Sequence, residues 1–120
     1  MTALFVYGTL KRGCKNHARL AGQEWVGEAR TRPGYRLYDL GDYPGLVRDP
    51  TDEAGVAGEL WMIDDATLSA LDAFEGVPQG LYVRGPVPME APHEGMAVQT
   101  YWYARDVAGR PALGSEWRKG

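Results

Sequence analysis

With 120 residues, the chain has the length of one domain, and its 44% hydrophobic and 24% charged residues are typical of a globular protein. Thirteen basic against sixteen acidic residues give a net charge of −3, which offers no basic surface for nucleic acid or anionic lipid. The single cysteine, Cys14, excludes an internal disulfide and favours a reducing cytoplasm, while no apolar run is long enough for a membrane span or a signal peptide.

The first half of the chain is predicted to form short strands separated by glycine and proline turns. An apolar run over residues 3–7 is stopped by Gly8, and Asn16 is placed to cap a short helical turn that ends at Leu20. Further strands are predicted over residues 23–29, 35–40, 46–48 and 55–63. The last of these carries apolar residues on both faces, which indicates a strand that contacts core on both sides.

The second half contains the clearest helical pattern, over residues 64–75, followed by strands over residues 81–87 and 97–104. Many short strands with one helix predict a single mixed α+β domain over residues 1–120, with a β-barrel as one arrangement of the strands. No interpretation is offered for the tail that begins at Asp106.

A carboxylate lies on the face of the predicted helix that should meet the core. At about 100° per residue, Leu68, Leu71 and Glu75 share one stripe, and Gly76 follows as a helix-ending residue. Partial burial and the negative end of the helix dipole would both raise the pKa of Glu75, which suits a general base near neutral pH. The alternative is a solvated acid in the last turn. Asp72, on the other side of Leu68, is either a second site carboxylate or part of a solvated helix edge.

The segment that follows the first strand is a second candidate for chemistry. Residues 7–13 read Tyr-Gly-Thr-Leu-Lys-Arg-Gly, and a strand that turns at a glycine exposes successive backbone N–H groups at its tip. Such an array would bind the carboxylate of an amino-acid-like substrate, and Lys11 and Arg12 would add a favourable field. The alternative is an ordinary turn followed by a solvated basic loop.

Other chemistries find little support. The two serines lie outside a Gly-x-Ser-x-Gly elbow, and no phosphate-binding glycine motif is present. Cys14 and His17 could form a thiol and base or half of a metal site, but two residues on a polar surface loop are the simpler interpretation.

In this order, these segments resemble the γ-glutamylcyclotransferase-like family, which includes γ-glutamylamine cyclotransferases and AIG2-like proteins. The matching runs are Phe-Val-Tyr-Gly-Thr-Leu-Lys-Arg-Gly at 5–13, Asn-His at 16–17, Tyr-Pro-Gly-Leu-Val at 43–47, Val-Ala-Gly-Glu-Leu-Trp at 56–61, Leu-Asp-Ala-Phe-Glu-Gly at 71–76 and Tyr-Val-Arg at 82–84. The resemblance covers about residues 3–104. It implies a mixed α+β fold, a small β-barrel with short flanking helices.

The resemblance also implies a reaction and a site. Glu75 matches the family's catalytic acid/base, and Tyr7, Gly8, Thr9 and Leu10 match its substrate-binding loop. The α-amino group of a γ-glutamyl amide would attack the γ-carbonyl, releasing 5-oxoproline and a free amine or amino acid. The partner would be this small molecule, and no metal or cofactor is required. Tyr101 and Tyr103 share a strand face and either line the pocket or belong to the core.

Two other functions and several leaving groups stay open at this point. The chain could be a binding module for an amino-acid-like ligand that uses the same pocket without turnover. Its four tryptophans could instead mark an interaction domain, although a small β-rich core accounts for them. Candidate substrates are γ-glutamyl-lysine isopeptides, γ-glutamyl amino acids and a γ-glutamyl-protected biosynthetic intermediate, whereas glutathione is disfavoured because the family branch that degrades it has different loops.

Overall fold

The computed structural model describes all 120 residues and contains one sheet and one α-helix. The strands are β1 (Thr2–Val6), β2 (Glu24–Arg30), β3 (Tyr35–Asp39), β4 (Pro44–Arg48), β5 (Ala57–Ile63), β6 (Tyr82–Pro86) and β7 (Val98–Tyr103), and the helix is α1 (Asp65–Phe74). Short 3₁₀ helices span His17–Leu20 and Val77–Gln79. The predicted elements are all present with ends shifted by two residues at most, and only the second 3₁₀ helix was not predicted. The mixed α+β class is confirmed.

The sheet is organised around β7. Its order is β2-β5-β1-β7-β4-β3, and β6 pairs with β7 in addition. Strand β1 pairs in parallel with the beginning of β7, at Val98 and Gln99, whereas β4 meets β7 only later, at Trp102. Strands β1 and β4 therefore diverge where β1 ends, and this divergence creates the space for the site described below.

The sheet packs into two apolar clusters, one on each side. Phe5, Leu37, Leu46, Leu60 and Trp102 belong to one cluster, and the other lies between the sheet and α1. Strand β5 contributes to both, because Leu60 faces the first cluster while Trp61 and Ile63 face the second. The prediction that this strand is buried on both faces is confirmed.

The helix begins and ends as its sequence indicates. The Asp64 carboxylate accepts a hydrogen bond of 2.7 Å from the Thr67 N–H, which caps the N-terminus. At the other end Gly76 adopts φ = 70°, a left-handed conformation that favours glycine and stops the helix after Glu75. Leu68 and Leu71 are buried against the sheet. Helix α1 has only ten residues, and the protein contains no helix of the length and hydrophobicity needed to cross a membrane.

Two details differ from the predictions. The sheet does not close into a barrel, because the outer strands β2 and β3 do not pair with each other. Instead the tail covers the free edge of β3: Leu113 N–H donates to Leu37 O at 2.8 Å, and Trp117 is buried. Asn16 does not cap the first 3₁₀ helix, since its side-chain N–H donates to Thr9 Oγ1 at 3.0 Å instead.

Candidate functional site

A cavity of about 330 Å³ opens where β1 and β4 diverge. The aromatic ring of Tyr7 lies at this point, and its hydroxyl joins the separated strands. The hydroxyl donates to Tyr101 O at 2.6 Å and accepts from the Leu46 N–H at 3.3 Å. Burial, followed by the nearby charge of Glu75, raises the pKa of the Tyr7 hydroxyl well above its usual value. Tyr7 is therefore uncharged, lines the cavity and uses its hydroxyl for hydrogen bonds within the protein.

The loop after Tyr7 lines the cavity and carries hydrogen-bond donors that have no acceptor within the protein. The N–H groups of Gly8, Thr9 and Leu10 donate to no other group of the protein, although Thr9 and Leu10 are buried. Their carbonyls, by contrast, are engaged. Gly8 O accepts from Lys11 N–H at 3.2 Å, and Thr9 O accepts from Asn16 N–H at 2.9 Å. Three consecutive unpaired N–H groups form a partial positive charge that favours an anionic oxygen.

Gly8 is required by a close approach rather than by an unusual backbone angle. A Cβ atom at this position would lie 2.7 Å from Pro44 Cγ and 2.9 Å from Pro44 Cδ. Pro44 begins β4 and also lines the cavity, and its carbonyl accepts a hydrogen bond of 2.7 Å from the Tyr82 hydroxyl. The absence of a side chain at Gly8 therefore lets the loop pack directly against the opposite wall.

Glu75 lies at the C-terminal end of α1 and lines the same cavity. Burial raises the pKa of its carboxyl group from 4.5 to about 7, and the positive charge of Arg19 opposes this shift. The carboxylate accepts no hydrogen bond that would stabilise its charged form. Arg19 stacks its guanidinium over the Phe74 ring, 3.7 Å from the centroid. Glu75 is thus an unpaired acid that exchanges its proton near neutral pH.

Asp72 is not a free carboxylate but a partly exposed, paired one. Arg84 donates to it from Nε at 2.8 Å and from Nη2 at 3.0 Å, and the Tyr101 hydroxyl donates at 2.7 Å. The hydrogen bonds from Arg84, with help from Tyr101, lower the pKa of the Asp72 carboxyl group. Asp72 does not line the cavity and is therefore not a second site carboxylate; it lies at a partly exposed helix edge, where it is paired.

The two tyrosines of β7 have different places. Tyr101 lines the cavity, whereas Tyr103 packs edge-on against Tyr82, with 5.4 Å between the ring centroids. Burial raises the pKa of both the Tyr82 and the Tyr101 hydroxyl. Their protons are already donated to Pro44 and Asp72, so these hydroxyls can offer only acceptor oxygens to a ligand.

The structure corrects the expected role of two cations. Lys11 Nζ donates to Trp117 O at 2.8 Å, and Arg12 forms an ion pair with Glu59 at 3.1 Å, so neither lines the cavity. Lys15 does line it, together with Asp42 and Tyr43 at the start of β4. Sequence reasoning missed these three residues. Lys15 reaches the cavity only because the chain folds back so that Asn16 N–H bonds to Thr9 O. No local sequence pattern predicts this contact.

Cys14 and His17 do not form a site together. His17 Nδ1 lies 2.9 Å from Leu10 O, and its ring packs against Trp61 with 5.3 Å between centroids. Cys14 is half-buried beside the first apolar cluster, and burial raises the pKa of its thiol. A raised pKa keeps the thiol protonated and unreactive. The structure does not show a thiol–base pair, but neither residue lies on a plain surface loop: His17 begins a 3₁₀ helix and supports the loop of the cavity, and Cys14 packs against the core.

The cavity thus combines one proton-exchanging acid, three free N–H donors and an apolar floor that includes Phe5, Val6 and Phe74. Such a site can hold an anionic oxygen at the N–H groups while a proton moves at a neighbouring atom. These are the requirements of acid/base chemistry on a small polar molecule.

Known proteins are similar to this chain in sequence and in fold. A protein from Vibrio cholerae is 47% identical over 75 residues, which cover 62% of this chain and 63% of that protein. Human gamma-glutamylaminecyclotransferase is 34% identical over 122 residues, covering 88% of this chain and 79% of the human protein. The crystal structure of an AIG2-like protein from Mus musculus superposes with a TM-score of 0.79 at 28% identity, covering 100% of this chain and 90% of that one.

The matched part is between half and two thirds of the length of the relatives from Vibrio cholerae, Arabidopsis thaliana and Rattus norvegicus. The family model described as gamma-glutamyl cyclotransferase, AIG2-like, matches residues 4–119, which include every residue of the cavity. Its match also includes the tail for which the sequence offered no interpretation. This chain belongs to the gamma-glutamyl cyclotransferase, AIG2-like family.

Proposed function

We propose that this chain is a cyclotransferase that releases 5-oxoproline and a free amine or amino acid from a γ-glutamyl amide, with Glu75 as general acid/base. The observation that carries the proposal is the meeting of two features in one cavity. An unpaired carboxyl group with a pKa of about 7 shares it with three free backbone N–H groups. Family membership supports the same reaction class.

In the proposed reaction the α-amino nitrogen of the substrate attacks its own γ-carbonyl carbon. A carbon–nitrogen bond closes the five-membered ring, and the amide carbon–nitrogen bond then breaks. Ionised Glu75 takes the proton from the attacking nitrogen and returns it to the leaving nitrogen, so the enzyme ends in its starting state. Such proton transfers typically contribute on the order of 10²–10⁴-fold to the rate.

The free N–H groups of Gly8, Thr9 and Leu10 act on the oxygen side of the substrate. They suit either the α-carboxylate or the oxyanion that develops on the γ-carbonyl. The cavity holds the glutamyl chain folded, with the nitrogen and carbonyl carbon about 3–3.5 Å apart. In this scheme the substrate supplies the nucleophile, and the protein supplies neither metal nor cofactor. A cytoplasmic location, predicted from the single cysteine, is part of the proposal.

The test is a screen for 5-oxoproline by mass spectrometry. The purified chain is incubated with a γ-glutamyl-ε-lysine isopeptide, a set of γ-glutamyl amino acids and γ-glutamyl alkylamines, and Glu75→Gln is assayed in parallel. We expect the wild type to release 5-oxoproline from at least one substrate class and Glu75→Gln to release almost none.

Thermal-shift binding on the same compounds completes the test. Substrates that stabilise the wild type but yield no 5-oxoproline would favour the binding module over the enzyme. Equal turnover by Glu75→Gln would remove Glu75 from the mechanism.

A further inference from the structure

We propose that Tyr101 is a positioning residue for this reaction, held by Asp72 and Arg84 so that it sets the spacing between the acid and the N–H groups of the loop. This inference rests on the proposed function. It concerns three residues to which the reaction scheme assigns no role.

The hydroxyl end of Tyr101 is tied to the helix that carries Glu75. Its O–H donates to Asp72 Oδ1 at 2.7 Å, and Asp72 precedes Glu75 by three residues in the last turns of α1. Arg84 fixes the carboxylate from the other side with two parallel hydrogen bonds of 2.8 and 3.0 Å. A bidentate pair of this kind restrains orientation as well as distance.

The backbone of Tyr101 is tied to the loop that carries the free N–H groups. Its carbonyl accepts the 2.6 Å hydrogen bond from the Tyr7 hydroxyl, and Tyr7 is the residue immediately before Gly8. The same hydroxyl accepts from Leu46 N–H, so the loop is also held to β4. One residue of β7 is therefore bonded both to the helix that carries Glu75 and to the residue before the loop, and it also lines the cavity.

This arrangement matters because ring closure depends on geometry. The proton acceptor and the anion-binding donors must both contact atoms of one small substrate. A misplacement of about 1 Å can cost on the order of 100-fold in rate. A tyrosine ring has few rotatable bonds and acts as a stiff spacer. Burial in the cluster beneath α1 keeps it in place.

The role is distinct from electrostatic tuning of Glu75. The groups that interact with the Glu75 charge are Arg19, from the first 3₁₀ helix, and the hydroxyls of Tyr7, Tyr82 and Tyr101. Asp72 and Arg84 form an ion pair and do not contribute to the shift of the Glu75 pKa. Loss of the Tyr101 hydroxyl, which changes no charge, should therefore lower the rate without moving the pH profile.

The experiment is a double-mutant cycle on kcat, normalised to folded protein, with Tyr101→Phe, Asp72→Ala and the double variant. We expect each single variant to lose about tenfold in kcat. KM should change by less than about threefold, and the double variant should be no slower than the slower single variant. Asp72→Asn keeps an acceptor oxygen for the Tyr101 hydroxyl and should recover most of the lost rate.

Two matched controls separate positioning from stability. Asp52→Ala removes a carboxylate that is paired with Arg36 at 3.0 Å away from the cavity, and Tyr103→Phe removes a neighbouring hydroxyl of the same strand. Both should keep the wild-type kcat, whatever they do to the melting temperature.

Three outcomes would overturn the inference while Glu75→Gln remains inactive: wild-type kcat in Tyr101→Phe, additive losses in the double variant, or a shifted pH profile in Tyr101→Phe. Failure of the proposed function looks different, because the wild type itself would release no 5-oxoproline, and that result overturns both proposals.

Discussion

Glu59 and Glu75 are both largely withdrawn from solvent, yet their surroundings differ in every respect that matters for chemistry. Glu59 accepts hydrogen bonds from Arg12 N–H at 3.0 Å, from Arg12 Nε at 3.1 Å and from Trp61 Nε1 at 3.2 Å. Glu75 has no such donor, and its pKa is raised by burial. Burial therefore does not by itself mark a reactive acid. The difference lies in whether the fold supplies partners for the charge.

The wider surroundings of the two acids also differ. Glu59 opens onto a polar recess that also contains Glu28, Arg30 and Glu90, and the guanidinium of its partner Arg12 stacks on Trp25 at 3.7 Å. Glu75 opens onto an apolar cavity whose free donors belong to the loop after β1. Glu59 holds the structure together, and Glu75 is available to a ligand.

The difference between the two acids is tested most directly by removing each charge in turn and measuring 5-oxoproline release. We expect Glu75→Gln to lose on the order of 10²–10⁴-fold in kcat, because the amide cannot accept the proton. Glu59→Gln should stay within about threefold of the wild type per folded molecule, since Glu59 does not line the cavity. A large loss of kcat in Glu59→Gln would contradict the structural role of Glu59.

The loop side of the cavity is tested by adding one methyl group. Gly8→Ala places Cβ against Pro44 at 2.7 Å and must displace the loop, so we expect KM to rise by about tenfold or more. Gly27→Ala is the matched control, because a Cβ at Gly27 meets no atom within 4 Å. Equal KM values in the two variants would show that the loop does not hold the substrate.

At pH 8 we expect the free energy of unfolding to rise when Glu75 is replaced by Gln and to fall when Glu59 is. The pKa of Glu75 is raised from 4.5 to about 7 by folding, so the folded state loses stability as the pH rises through this interval. Glu75→Gln removes this loss and should be more stable than the wild type at pH 8, by up to about 3 kcal/mol, with no gain at pH 4.

Glu59→Gln should instead lose about 1–3 kcal/mol at pH 8, because the amide keeps one acceptor oxygen for Arg12 N–H and Trp61 Nε1 but loses the charge and the second acceptor oxygen that binds Arg12 Nε. Chemical denaturation of both variants at the two pH values measures the difference. A destabilised Glu75→Gln at pH 8 would contradict the unpaired state of this acid.

The smallest expected effects concern the cations near the loop. Lys15→Met should raise KM by about two- to fivefold, because an exposed charge at the cavity mouth is largely screened. Lys11→Met should leave KM unchanged, since its ammonium group is bonded to Trp117 O. The reverse result, a KM effect of Lys11→Met only, would restore the role that the sequence suggested for Lys11.

Local signals made much of this site predictable from the sequence. The helical period places Glu75 beside Leu68 and Leu71, and Gly76 ends the helix there in the left-handed conformation. The strand that stops at Gly8 predicts exposed N–H groups, and those groups are unpaired. Both features depend on residues within one or two turns of one another.

The remaining features depend on contacts between distant parts of the chain. Tyr7 bonds to Tyr101, 94 residues away, across a gap that exists because β1 and β4 share one side of β7. The pairing of Asp72 with Arg84 and the covering of β3 by the tail are likewise tertiary. A periodic pattern does not predict such contacts, which is why the pairing of Asp72 with Arg84 was not predicted and why a β-barrel stayed open as one arrangement of the strands.

Titration of the Glu75 side-chain carboxyl by carbon-detected NMR tests the central claim most directly, with Glu75→Gln used to assign the resonance. The account predicts a midpoint of about 7, well above the 4.5 of an ordinary glutamate, because the carboxylate is buried without a hydrogen-bond donor. A midpoint near 4.5 would show a solvated or paired acid and would contradict the assignment of Glu75 as the proton carrier.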